Sequence, residues 1–119
     1  MILNNKKWEI WLADLNPRFG TEAGKTRPVV VFQSNFLNKI HNSTIILPIT
    51  TNVTFEAKIL RVNLDEIAEE TGLKEPSDIL IDQIRTIDNS RFIKKIGKIN
   101  DLLIRKTIND NLKIVLDFI

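Results

Sequence analysis

Arg27 is the residue whose setting in this chain best suits chemistry on an anion. It follows the loop Gly20-Thr21-Glu22-Ala23-Gly24-Lys25-Thr26 and leads through Pro28 into the apolar run Val29-Val30-Val31-Phe32. Gly20 and Gly24 give that loop access to positive φ and to close backbone approaches. Pro28 fixes its own φ and biases Arg27 toward extended geometry. A planar, permanently charged guanidinium at the mouth of a buried strand fits a phosphate or a carboxylate. Read plainly, the same stretch is a surface turn with a solvated arginine, since loops carry binding groups and ordinary polar surface alike.

Few other catalytic arrangements are available. His41 is the only histidine, so there is no pair of imidazoles for acid–base work and no partner for a zinc site. Its polar neighbourhood reads as a loop. Cysteine is absent, which removes disulfides, thiolate metal sites and a cysteine nucleophile, and fits a reducing cytosol. No P-loop, His-Glu-x-x-His or EF-hand sequence occurs. Glu69 and Glu70 read as the exposed side of a helix. The expectation is a chain with no cofactor and no metal.

Charge distribution says more than its sum. The net charge is +2 and the sequence pI about 9.0, the level at which nucleic acid becomes worth considering. Basic residues cluster at Lys6–Lys7, Arg18, Lys25–Arg27, Arg85–Arg91 and Lys94–Lys98, whereas much of the acid lies between Asp65 and Asp78. A basic face for a phosphate backbone and ordinary solvated charge both fit that pattern. The amino terminus lacks the apolar core of a signal peptide, and no apolar run has the length of a membrane span. The chain therefore reads as soluble and intracellular.

The elements that must position Arg27 are short. Glu9 to Asp14 alternates as a strand ended by Asn16-Pro17, and residues 27–33 and 44–49 are β-branched runs that read as buried strands. Residues 57–64 form a weaker strand, 64–71 one or two helical turns closed by Gly72, and 77–87 a long strand turning polar toward its end. Residues 92–99 give a last strand, broken by Gly97. Asn100 or Asp101 can cap the helix that follows, with Ile104, Ile108, Leu112, Val115 and Ile119 at helical spacing. Many short strands and one terminal helix argue for a small bent barrel at 119 residues, a single-domain length.

A set of segments in fixed order carries a resemblance. They are residues 10–17 (Ile-Trp-Leu-Ala-Asp-Leu-Asn-Pro), Gly20-x-Glu22, Arg27-Pro28 with its valines, Leu47-Pro48-Ile49-Thr50, residues 82–88 (Asp-Gln-Ile-Arg-Thr-Ile-Asp) and Ile96-Gly97-Lys98-Ile99. Together they resemble the MazF/PemK family of toxin endoribonucleases, over nearly the whole chain. The resemblance implies a mainly β fold with helices (α+β), an SH3-like β-barrel shared with CcdB, closed by the C-terminal amphipathic helix, with residues 1–119 as one toxin domain. One departure is clear: in Lys7-Trp8-Glu9-Ile10-Trp11, Trp8 stands where the family carries glycine.

The family also implies a chemistry that needs neither metal nor triad. RNA supplies its own nucleophile: the 2′-OH attacks the adjacent phosphorus and leaves a 2′,3′-cyclic phosphate and a 5′-OH. Arg27 suits charge stabilisation on the phosphoryl oxygens, and Thr50 matches the family's catalytic threonine; alone, Thr50 reads as a turn-forming hydroxyl. Gly20, Glu22, Lys25, Gln83, Arg85 and Thr86 fall at positions that imply RNA contacts. Glu22 can position the loop, pair with a cation or read a base edge. Gln83 has the donors and acceptor that base reading needs, and Arg85 either meets RNA or anchors to Asp82 or Asp88. Among the nearby aromatics Trp11, Phe32 and Phe36, Phe32 reads as core.

The implied partners are single-stranded RNA, a second copy of the chain and a cognate antitoxin, with operator DNA met only through the antitoxin complex. The implied place is the cytoplasm of a bacterium. Two rivals share the barrel: a CcdB-like toxin that poisons gyrase, and an inactive nucleic-acid-binding autorepressor. Retention of Arg27 and Thr50 favours the nuclease.

Overall fold

The apolar runs pair into antiparallel strands in the computed structural model, which describes residues 1–118. In chain order the elements are β1 (Glu9–Asp14), β2 (Thr26–Val31), the single turn α1 (Asn35–Asn38), β3 (Ser43–Thr50), β4 (Arg61–Asn63), the single turn α2 (Ala68–Thr71), β5 (Asp78–Leu80), β6 (Arg85–Asp88), β7 (Phe92–Lys98) and α3 (Leu102–Val115). The path across the sheet is β4-β5-β3-β2-β1-β7, with β6 also paired to β3. These strands curl into the small barrel expected, with α3 packed on it.

Burial explains the unbroken apolar run of β2. Val30 joins Ile10, Leu47 and Ile49 beneath Ile108 and Leu112 of α3, while Val29 and Val31 pack with Leu15, Ile46 and Phe92 on the opposite face. A strand covered on both faces has no reason to alternate. α3 starts at Asp101, whose side-chain Oδ1 accepts from the Ile104 amide at 2.9 Å. Its stripe of Ile104, Ile108, Leu112 and Val115 faces the core as expected; Ile119, the last member of that stripe, lies outside the described residues.

The long strand expected over residues 77–87 is interrupted, and the interruption matters. Ile49 and Thr50 of β3 pair with Ile79 and Asp78 of β5, whereas Ser43 to Ile46 pair with β6. β5 and β6 thus follow one another along the same edge of β3, out of register. A 3₁₀ turn, Ile81–Gln83, takes up the slip. It buries Ile81 in the core beneath α3 and takes Gln83 off the ladder.

Two further expectations change in detail. The strand expected over residues 57–64 shrinks to β4, preceded by a 3₁₀ turn at Lys58–Leu60, because its partner β5 is itself only 3 residues long. Gly97 does not break β7, which runs on to Lys98. It is glycine because the backbone of α2 lies against it: an added Cβ would sit 2.0 Å from the Thr71 carbonyl oxygen.

Trp8 occupies the left-handed region, with φ of 76°. That is the physical reason a glycine suits the position. Its backbone is pinned all the same, donating to Val31 O at 2.7 Å and accepting from Ile99 N at 2.8 Å. The indole packs edge-on to Phe32 at 5.3 Å, with the Arg105 guanidinium 5.1 Å from its ring centre. The Lys7 ammonium lies 4.3 Å from the Phe32 ring centre.

Candidate active site

The site begins with strand register. Val29 is the last residue of β2 paired with β3, opposite Pro48. Continued two residues beyond the paired stretch, that register places Arg27 across from Thr50, on the face that buries Val29 and Ile46. Arg27 Nε donates to Gly24 O at 2.7 Å and Nη1 to Ile49 O at 3.4 Å. These tethers are neutral carbonyls, and no carboxylate pairs with Arg27 among the described residues. Burial, and then the nearby charge of Arg18, lower its pKa from the ordinary arginine value. A guanidinium still stays charged at neutral pH, so a half-buried cation waits here without a counter-ion.

Thr50 ends β3. Its Oγ1 accepts from the Asn52 amide at 3.1 Å, the turn-forming role read from the sequence. The hydroxyl proton has no acceptor among the described residues and remains available to donate. The nearby cavity of about 160 Å³, lined by Pro28, Ile49, Thr51 and Leu73, includes neither of the pair.

The loop that carries Arg27 turns differently from the sequence reading. Gly20 has positive φ (57°), but the second left-handed residue is Lys25 (66°) rather than Gly24. Gly24 is required for space, since an added Cβ would lie 2.6 Å from Arg18 Cβ. Asn16 Oδ1 accepts from the Lys25 amide at 2.8 Å. Glu22 and Lys25 are exposed.

Gln83 is used by the loop itself. Its Oε1 accepts from Ala23 N at 2.6 Å and its Nε2 donates to Thr21 O at 3.1 Å, on either side of Glu22. Glu22, Asp82, Gln83 and Arg85 line a cavity of about 320 Å³. Arg85 pairs with neither Asp82 nor Asp88, contrary to the anchoring alternative, and its buried Nη1 has no hydrogen-bond partner among the described residues. Thr86 is not brought to the pair: it sits opposite Ile45, five residues along β3 from Thr50, or roughly 17 Å at the usual strand rise.

Sequence reasoning passed over Arg18 as a site residue, and over Phe19 and Phe55. Phe19 and Phe55 are 69% and 76% exposed on loops, with Phe19 adjoining Arg18 and Gly20. A phenylalanine between an arginine and a glycine in a polar loop was the available signal. Trp11 is occupied, packing on Phe92 and donating to Glu9. Phe36 is exposed but sits on α1, past the far end of β2 from Arg27.

Residues 6–116 match the model of the PemK-like, MazF-like toxins of type II toxin–antitoxin systems. The chain belongs to this family. The endoribonuclease EndoA of Bacillus subtilis is 34% identical over 114 residues, covering 96% of each chain. MazF of Deinococcus radiodurans superposes with a TM-score of 0.79 at 18% identity, over 96% of this chain and 97% of that one. A MazE–MazF structure from the same organism matches with a TM-score of 0.73 at 18% identity, over 97% of each chain. These toxins share the barrel and terminal helix described above.

Proposed function

We propose that this toxin is an endoribonuclease that cuts single-stranded RNA at a specific sequence without a metal ion, with Arg27 and Thr50 holding the reacting phosphate. One observation carries the reading: a cation without a counter-ion stands across from an unused hydroxyl donor, at the open end of two rigid strands. Both groups donate hydrogen bonds, so they suit an anion with several acceptor oxygens. The RNA 2′-OH attacks phosphorus, the bond to the 5′ oxygen breaks, and a 2′,3′-cyclic phosphate and a 5′-OH remain. Arg27 neutralises charge on the non-bridging oxygens by a two-pronged contact, and Thr50 adds a third donor. Arginine does not serve as the base, because its neutral form is too scarce.

The relative solved with MazE supports an antitoxin partner, whose acidic and apolar residues would cover the cationic mouth. Operator DNA is then met through that complex. A homodimer is supported by apolar surface left open on and beyond α3, at Leu102, Leu103, Ile114, Leu116 and Phe118; light scattering should return the mass of two chains. Among the described residues no helix is long and apolar enough to cross a membrane, and we assign the cytoplasm, where the RNA is.

The test is incubation of the purified protein with a long unstructured RNA in excess EDTA, followed by mapping of the ends. Cuts at one short motif, ending in cyclic phosphate and 5′-OH, are expected. Cleavage abolished by EDTA, or 5′-phosphate ends, would overturn the mechanism.

A further inference from the structure

We infer that Gln83 is a positioning residue, which fixes Arg27 through the backbone of the loop and does not read a base. The inference rests on the endoribonuclease reading above. Gln83 owes its place to the turn that interrupts the edge of β3: without that slip in register the residue would lie in the strand ladder. Lifted out, its planar amide grips the loop as a neighbouring strand would, accepting from Ala23 N at 2.6 Å and donating to Thr21 O at 3.1 Å. Each polar atom of the amide already holds the loop by one hydrogen bond, so the amide's direction is set by the loop, with one N–H and one lone pair left over.

The grip reaches the guanidinium in one further step. Gly24 O, which accepts from Arg27 Nε at 2.7 Å, lies between two held amides. Ala23 N is held by Gln83 and Lys25 N by Asn16 Oδ1 at 2.8 Å. The other tether of Arg27, to Ile49 O, is longer at 3.4 Å. The orientation of Arg27 thus depends on a carbonyl whose own position depends on Gln83. A misplacement of about 1 Å can cost on the order of 100-fold in rate.

Gln83→Ala and Gln83→Glu should separate the possible roles. In single-turnover cleavage of RNA carrying the wild-type motif, Gln83→Ala should lower the rate at saturating protein on the order of 10- to 100-fold. Half-saturation should move less than about 3-fold and the mapped motif should stay the same, as expected when ground-state binding is intact. Gln83→Glu keeps an acceptor for Ala23 N but sets a second oxygen against Thr21 O. Protonating it restores a donor, so its rate relative to wild type should recover as pH falls. Glu22 from the loop and Asp82 from the turn share the cavity with Arg85; the two carboxylates raise the new group's pKa and Arg85 lowers it.

Amide exchange gives a readout independent of RNA. Ala23 N–H should exchange faster in Gln83→Ala than in the wild type, while the Lys25 N–H held by Asn16 changes less. A relaxed or altered motif, or an unchanged rate with weaker binding, would overturn the positioning role in favour of base reading. Unchanged Ala23 exchange would remove the grip itself. A wild-type protein that cuts no RNA would instead sink the function proposed above, and the exchange result would still decide the grip.

Discussion

The two ends of β2 each carry basic side chains beside a non-glycine residue in the left-handed region, and they use their charge differently. At the open end, Arg27 is tied to backbone carbonyls and Lys25 turns the loop at φ 66°. At the other end, Trp8 turns at φ 76°, Lys7 and Arg105 lie over aromatic rings, and Arg105 Nε also donates to Ile99 O at 2.7 Å. Carbonyl tethers fix where a guanidinium points and leave its charge unneutralised. Ring faces spend that charge on packing, and Lys7 has its pKa lowered, first by burial and then by Arg105. Neither cation count nor a carbonyl tether distinguishes the two ends; the aromatic faces against Lys7 and Arg105 do.

The largest test of this contrast is at the open end. Removing one preorganised donor from such a site typically costs 100- to 1,000-fold in rate, about 3–4 kcal/mol. Arg27→Ala and Thr50→Ala should each lose that much in an EDTA-treated cleavage assay, with unfolding unchanged. Arg27→Lys should recover little, since a point charge cannot reproduce a two-pronged contact. The double variant should be little worse than either single one, because groups acting as a unit are not additive. Near-wild-type cleavage by folded Arg27→Ala would erase the distinction between the two ends.

Next comes the packed end, where stability and not rate should respond. Trp8→Ala should cost about 2 kcal/mol in urea unfolding through lost burial of the indole. Trp8→Gly should be the milder change by about 1 kcal/mol, because glycine adopts positive φ without a clash. In an ordinary strand or helix glycine is the worse of the two. Alanine proving equal to or better than glycine would show that backbone strain at Trp8 is negligible. Both variants should keep the cleavage motif.

The smallest effect separates the lysines. For single strands log K falls by about 0.7 per phosphate neutralised for each unit of log salt, so three to five contacts give a slope of roughly −2 to −3.5. Lys25→Ala should make the slope shallower by less than about one unit, while Lys7→Ala should leave it alone. Equal changes in binding titrations across a salt series would mean that RNA reaches both ends.

Much of this arrangement was legible in residue types, and the limits are instructive. β2 and β3 could be read because burial on both faces leaves unbroken β-branched runs, and α3 because its stripe and Asp101 cap are local signals. Arg27 and Thr50 could be named from their segments, but only pairing sets them opposite one another. The break between β5 and β6 was hidden because alternation over residues 77–87 looks continuous. What changes there is the partner segment along β3, a long-range fact. The grip of Gln83 on Ala23 was hidden for the same reason, with donor and acceptor 60 positions apart in the chain. Exposure of Phe19 and Phe55 depends on what fails to cover them, which no local pattern records.

With Arg27 and Thr50 acting as proposed, the register of β2 against β3 also makes catalysis a report on folding fidelity. A slip of one residue would exchange the faces of Val29 and Val30 and swing Arg27 to the far side of the sheet. A chain misaligned in this way could keep most of its secondary structure and still be harmless to RNA. Toxicity would then scale with the fraction of molecules whose two central strands are correctly aligned, so a cell need not unfold this protein to disarm it.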